Sequence, residues 1–229
     1  MKRTEVNRIL EDTIEFLEQM KFYLPPFASW VPKDWKDKGH EADEIIDNLL
    51  GWDITDFGRG DFSKFGLVLF TLRNGNDSNP KYTKPYAEKI MIVEENQQTP
   101  MHFHFKKTED IINRGGGNVL LELYNSTDDE QLDKNKPVRV SLDGIVKEFS
   151  PGEIIRLTHG ESITLPQGIY HTFYAEDGKG KVLMGEVSQV NDDKTDNRFL
   201  EPIGRFPEID EDEEALHYLC FEYPKLNAL

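Results

Sequence analysis

The chain has 229 residues, 43 acidic against 27 basic side chains, a formal charge of -16 at pH 7, and 37% hydrophobic and 11% aromatic residues. That apolar content is enough for one sizeable core, while the negative charge repels polyanions and sets nucleic acid and anionic membrane aside as partners. No run approaches 18 apolar residues and Met1, Lys2, Arg3, Thr4 and Glu5 lead into a charged amphipathic pattern rather than an apolar signal core, so a soluble, unexported, cytoplasmic protein is expected.

From 6 to 20, Val6, Ile9, Leu10, Ile14 and Leu17 recur every three or four positions and predict one apolar helix face, ended by Pro25 and Pro26. A second helix is expected over 42–50, with Ile45, Ile46, Leu49 and Leu50 apolar and Gly51 as its terminator. Beyond Gly58, short runs rich in β-branched and aromatic residues alternate with Gly, Asn, Asp and Pro clusters. Strands are predicted over 66–73, 86–94, 119–124, 138–142, 145–149, 154–157, 162–165, 170–175 and 182–187. Asp143-Gly144 supplies the positive φ of a two-residue hairpin turn, and Asp177-Gly178 marks another turn. The expected architecture is therefore mainly β, an antiparallel β-barrel or jelly roll that hides its edges. It forms one domain over 1–229: a helical region over 1–60, a barrel over 61–190 and an irregular acidic C-terminal arm over 191–229. Cys220, the single cysteine, forms no internal disulfide, and its neighbours Leu219 and Phe221 read as packing residues.

Three of the six histidines fall in two short stretches, Pro100-Met101-His102-Phe103-His104 and Pro166-Gln167-Gly168-Ile169-Tyr170-His171. On a strand, His102 and His104 share one face and Phe103 and Phe105 the other. Glu109 can return a carboxylate to the same place past a bend, and His171 can arrive from a later strand. Three neutral imidazoles and a carboxylate suit a divalent first-row ion and leave open positions at five- or six-coordination. Taken alone, the His-Phe alternation equally fits a half-buried strand with hydrogen-bonded imidazoles. Arg114-Gly115-Gly116-Gly117-Asn118 lacks the ending of a phosphate loop and reads as a flexible connection. His40, His159 and His217 lack metal-type spacing, so surface or turn roles are expected for them.

The set His102, His104, Glu109 and Gly116, followed by Gly160, Pro166, Gly168 and His171, resembles the two signatures of the cupin family. Asn96 stands where the first signature begins with Gly, and Asn tolerates the same left-handed backbone; Ala175 stands where the second often ends in Asn. A longer likeness, to the D-lyxose isomerase family, runs through Leu24-Pro25-Pro26-Phe27-Ala28, Gly51-Trp52-Asp53-Ile54-Thr55-Asp56-Phe57-Gly58, Lys84-Pro85-Tyr86-Ala87-Glu88-Lys89-Ile90-Met91, Asp110-Ile111-Ile112-Asn113 and Asp196-Asn197-Arg198-Phe199-Leu200-Glu201-Pro202. The resemblance implies a homodimeric aldose–ketose isomerase acting on D-lyxose and D-xylulose, and on D-mannose and D-fructose. It implies manganese as the cofactor, with cobalt, iron or zinc as alternatives.

Such an isomerase moves a proton between C2 and C1, which asks for a metal to stabilise charge and for a carboxylate or amine to carry the proton. Lys89 is the first catalytic candidate, because a lysine pointing inward from a strand is costly unless it serves a charged site; an outward lysine on a half-exposed strand is its alternative. Glu201 ranks as general base by family likeness, ahead of Glu186, and Arg205 and Asp193 are candidates to fix sugar hydroxyls. Lys106 and Lys107 form the only basic pair beside the metal motif, too few for a phosphate pocket, so an unphosphorylated sugar is expected. A cupin dioxygenase and a non-catalytic sugar-binding cupin are the rival readings.

Overall fold

A computed structural model describes residues 1–192 and 195–224. Among the described residues three α-helices, α1 (Arg3–Gln19), α2 (Pro32–Trp35) and α3 (Asp43–Asp47), lead into the strands. In chain order the strands are β1 (Gly51–Thr55), β2 (Leu67–Arg73), β3 (Tyr86–Val93), β4 (His102–His104), β5 (Glu109–Gly116), β6 (Val119–Ser126), β7 (Leu132–Asp133), β8 (Val138–Leu142), β9 (Ile145–Phe149), β10 (Ile154–Leu157), β11 (Ser162–Leu165), β12 (Ile169–Ala175), β13 (Val182–Gln189) and β14 (Asn197–Phe199). An eight-stranded sheet runs β1-β2-β3-β13-β5-β11-β8-β9, and a six-stranded sheet runs β10-β6-β12-β4-β14, with β7 on β6. All strand pairings are antiparallel. The fold is mainly β and of the cupin type.

Strand parity sorts the side chains into two cores. Leu67 and Leu69 of β2, Met91 and Val93 of β3 and Val182 and Met184 of β13 face inward, where they meet Leu121, Leu123 and Phe173 from the smaller sheet. Val68, Phe70, Ile90, Ile92 and Leu183, one residue out of phase, face the opposite way and pack under Val6, Leu10 and Leu17 of α1. That second layer is why the larger sheet reads as near-continuous apolar runs rather than clean alternation. Burying Val6, Leu10 and Leu17 contributes about 1.5–3 kcal/mol for each.

Several expectations are corrected by this arrangement. The second helix is one short α-turn at 43–47 preceded by a 3₁₀ turn at His40–Ala42, and the left-handed residue that ends it is Leu49 (φ 51°). Gly51 instead opens β1 with φ 106°, and a Cβ there would lie 2.1 Å from the Tyr223 hydroxyl. The glycine run at 115–117 is the tight connection by which the chain passes from β5 in the larger sheet to β6 in the smaller one: Gly116 has φ 84°, and a Cβ would lie 2.4 Å from the Lys181 carbonyl. The arm after 191 contributes a strand, β14, beside β4. Asn96 has φ 60°, as its place in the turn requires, and Asp143 (φ 49°) with Gly144 (φ 82°) makes the expected hairpin turn between β8 and β9.

Candidate metal centre

β4 turns His102 and His104 toward the barrel interior, and Phe103 outward against Phe105 and Tyr170 at 4.9 and 4.8 Å between ring centres. β12 pairs with β4 so that His171 lies directly across from His102. The three imidazoles offer nitrogen atoms that all lie within 4.8 Å of one another. Glu109, the first residue of β5, brings its carboxylate oxygens to 3.1 Å from His171 Nε2 and 3.4 Å from His104 Nε2. Two strands of one sheet and one of the other thus meet at a single point.

Proton placement decides what this point can hold. His102 Nδ1 lies 2.8 Å from the Pro100 carbonyl and His171 Nδ1 lies 3.0 Å from the Ile169 carbonyl. A carbonyl only accepts, so each Nδ1 carries the hydrogen and each Nε2 presents a lone pair. Both nitrogens of His104 and Nε2 of His171 are buried with no hydrogen-bond partner among the described residues. Burial first, then His171 and His104, pushes His102 well below its ordinary value, and burial with the nearby Lys107 pushes His104 down. Neutral imidazole lone pairs facing a carboxylate are mutually repulsive unless a cation lies among them. Three nitrogens and one oxygen fit a divalent first-row ion.

The same cavity holds a second charged group. Lys89 shares the inward parity of Met91 and Val93, and it stands directly across from Glu186 of β13, with Nζ 3.6 Å from the carboxylate. Lys107, from the turn between β4 and β5, places Nζ 2.8 Å from Glu186 and 2.7 Å from Glu109. Burial alone would raise both carboxyls. Lys107, with His104 for Glu109 and Lys89 for Glu186, outweighs it and holds both carboxyls down, Glu109 well below the ordinary carboxylate range. Phe57, Leu69, Met91 and Phe173 form the apolar part of the cavity wall, and the Phe199 ring of β14 lies 5.4 Å from that of His102 between centres.

Lys107 escaped the sequence reading, which treated it only as one of a basic pair. Its turn is pinned by Asp196, whose carboxylate accepts the Lys106 and Lys107 backbone N–H groups at 2.7 and 3.1 Å. The available signal was its spacing of two from Glu109. Arg205 also lines the cavity, and its guanidinium donates to Asp53 of β1 at 2.6 Å. Glu201 stands apart from these groups: it is 68% exposed, pairs with Arg59 at 2.5 Å, and is absent from the cavity wall. Asp193 lies outside the described residues. Of the other histidines, His40 and His159 are at the surface, whereas His217 is buried, with Nδ1 2.9 Å from the Trp30 carbonyl and its ring stacked on Trp52, so it is a core residue rather than a surface one.

Residues 1–223 match the family model described as D-lyxose isomerase. A D-lyxose/D-mannose isomerase of Escherichia coli O157:H7 is 52% identical over 97% of this chain and 98% of its own length. One of Serratia proteamaculans is 50% identical over the full length of both. Among solved structures, L-ribose isomerase of Cellulomonas parahominis with L-ribose aligns over 92% of this chain and 98% of its own with a TM-score of 0.60 and 16% identity, a likeness of fold alone. On these matches the chain belongs to the D-lyxose isomerase family and is an aldose–ketose isomerase.

Proposed function

We propose that the enzyme interconverts D-lyxose with D-xylulose and D-mannose with D-fructose, with His102, His104, Glu109 and His171 as the ligands of one divalent ion. The observation that carries this reading is the proximity, inside one cavity, of three imidazoles and a carboxylate to the buried Lys89–Glu186 pair. The two relatives named D-lyxose/D-mannose isomerase support the substrates. D-lyxose is D-mannose without its last carbon, so one wall can read both.

A divalent ion held by these four residues would supply Lewis-acid stabilisation of the charge that develops on the sugar oxygens. Glu186, kept anionic by its lysine neighbours, takes the proton from C2 of the open-chain aldose and returns it to C1 through the enediol, while the hydroxyl proton of O2 passes to O1. Lys89 holds that carboxylate toward the sugar. Arg205, oriented by Asp53, donates to sugar hydroxyls, and the family likeness gives Asp193 the same duty. Glu201, turned toward Arg59 at the surface, takes no part in proton transfer in this reading. The apolar wall excludes water from the transferred proton. Manganese as the ion, with cobalt, iron or zinc able to replace it, a homodimer, a cytoplasmic setting and one domain over 1–229 complete the proposal on the strength of the family likeness.

The test is to strip the protein of metal, restore manganese, cobalt, iron or zinc separately, and supply D-lyxose or D-mannose anaerobically in D₂O. Ketose should form only after metal is restored, with C1 carrying mainly the proton taken from C2, because the apolar wall keeps solvent deuterium from the base. Failure to isomerise either sugar with metal bound would falsify the reading, and oxygen consumption instead would favour a dioxygenase.

A further inference from the structure

Lys107 is a buried lysine between two buried glutamates, on a turn that owes its shape to Asp196 rather than to strand pairing. An ammonium has three hydrogens and no lone pair. Three acceptors meet this one: Glu109 at 2.7 Å, Glu186 at 2.8 Å and the Asn191 side-chain oxygen at 3.0 Å. Asn191 is itself tied down, since its backbone N–H donates to Asn74 and its carbonyl accepts from Asn74, both at 3.0 Å. Lys107 is therefore held from three sides by protein groups, by hydrogen bonds to Glu186 and Asn191 and by the ion pair with Glu109.

We propose that Lys107 is a positioning residue: it clamps Glu186 in place for proton transfer and, through the same ammonium, competes with the divalent ion for the Glu109 carboxylate. The inference rests on the roles given above to Glu186 and Glu109. Its physical content is that one cation serves two carboxylates with opposite consequences. Toward Glu186 it supplies orientation, which favours the reaction. Toward Glu109 it places a positive charge beside a group that is to hold another positive charge, which weakens metal binding. A lysine that merely filled space or supported the fold would weaken both when removed.

Lys107→Met keeps the stem and removes the charge. The expected result is a fall in kcat of ~100-fold or more with KM changed by less than ~3-fold, while the metal-stripped protein binds manganese about tenfold more tightly by direct titration. Lys107→Gln, which keeps hydrogen bonding without charge, is read by the same two measurements should the methionine variant fold poorly. In a double-mutant cycle with Glu186→Gln, the penalty of Lys107→Met should vanish, because there is no longer a base to position. Weaker manganese binding in the folded variants, a kcat within ~3-fold of the parent, or full additivity in the cycle would each overturn the clamp. If Glu186→Gln alone keeps the parental kcat, it is the assignment of Glu186 that fails, and the clamp with it.

Discussion

Two clusters of buried charge lie at different places in this molecule and are built on different terms. Where α1 meets the C-terminal arm, Arg3, only 2% exposed, reaches both oxygens of Glu211 at 2.6 and 2.8 Å and also pairs with Glu222. Glu211 remains 58% exposed, so water shares in its solvation. In the barrel, Lys89 and Lys107 meet Glu109 and Glu186 with all four buried, beside imidazole nitrogens that lack hydrogen-bond partners. The first cluster satisfies its polar atoms and joins the two ends of the chain. The second gathers dry charge and unsatisfied lone pairs at a cost in stability, and that cost is what marks a site built for chemistry.

The largest effect is expected at the candidate metal site. His171→Ala removes an imidazole whose Nε2 has no other partner; manganese content should fall below one ion per chain and kcat/KM by ~1000-fold or more, while thermal stability of the metal-free protein stays level or rises as a buried polar group is lost. Unchanged metal content would remove His171 from the ligand set. The clasp should respond in the reverse sense. Arg3→Met leaves the half-buried Glu222 without its guanidinium and is expected to cost about 2 kcal/mol of stability in denaturant unfolding, discounted for the exposure of Glu211, with kcat per folded molecule unaltered; a catalytic defect at equal stability would show that the two clusters are coupled. The smallest effect belongs to Glu201→Gln. Its exposed pair with Arg59 is worth roughly 0–1 kcal/mol, and kcat should stay within about twofold of the parent. A loss of ~100-fold would restore Glu201 as the base and displace Glu186.

Much of the site was legible along the chain because it follows short-range rules. The spacing of two between His102 and His104, with Phe103 turned away, follows from strand geometry alone. Lys89 could be suspected from its place on a strand bordered by apolar residues, and parity with Met91 accounts for its inward direction. The order of Glu186 and Glu201 as candidate bases is not decided that way. Both are glutamates in the later part of the chain, and only the register that sets Glu186 against Lys89, and the loop that turns Glu201 to Arg59, tells them apart. Lys107 was missed for a related reason: a turn has no periodicity, and its backbone is pinned by Asp196, 89 residues away.

The sequence by itself determined the mainly β architecture, most strand positions and the chemical types of the candidate ligands, because alternation, turn residues and motif spacing act over a few residues. Tertiary structure alone decided which charges share the cavity, that the helix at the N-terminus covers the outer face of the larger sheet, and that a lysine beside the metal motif bridges two carboxylates. Those outcomes depend on pairings between strands and turns far apart in the chain, and the free energy of a buried charge depends on every neighbour that the fold brings to it.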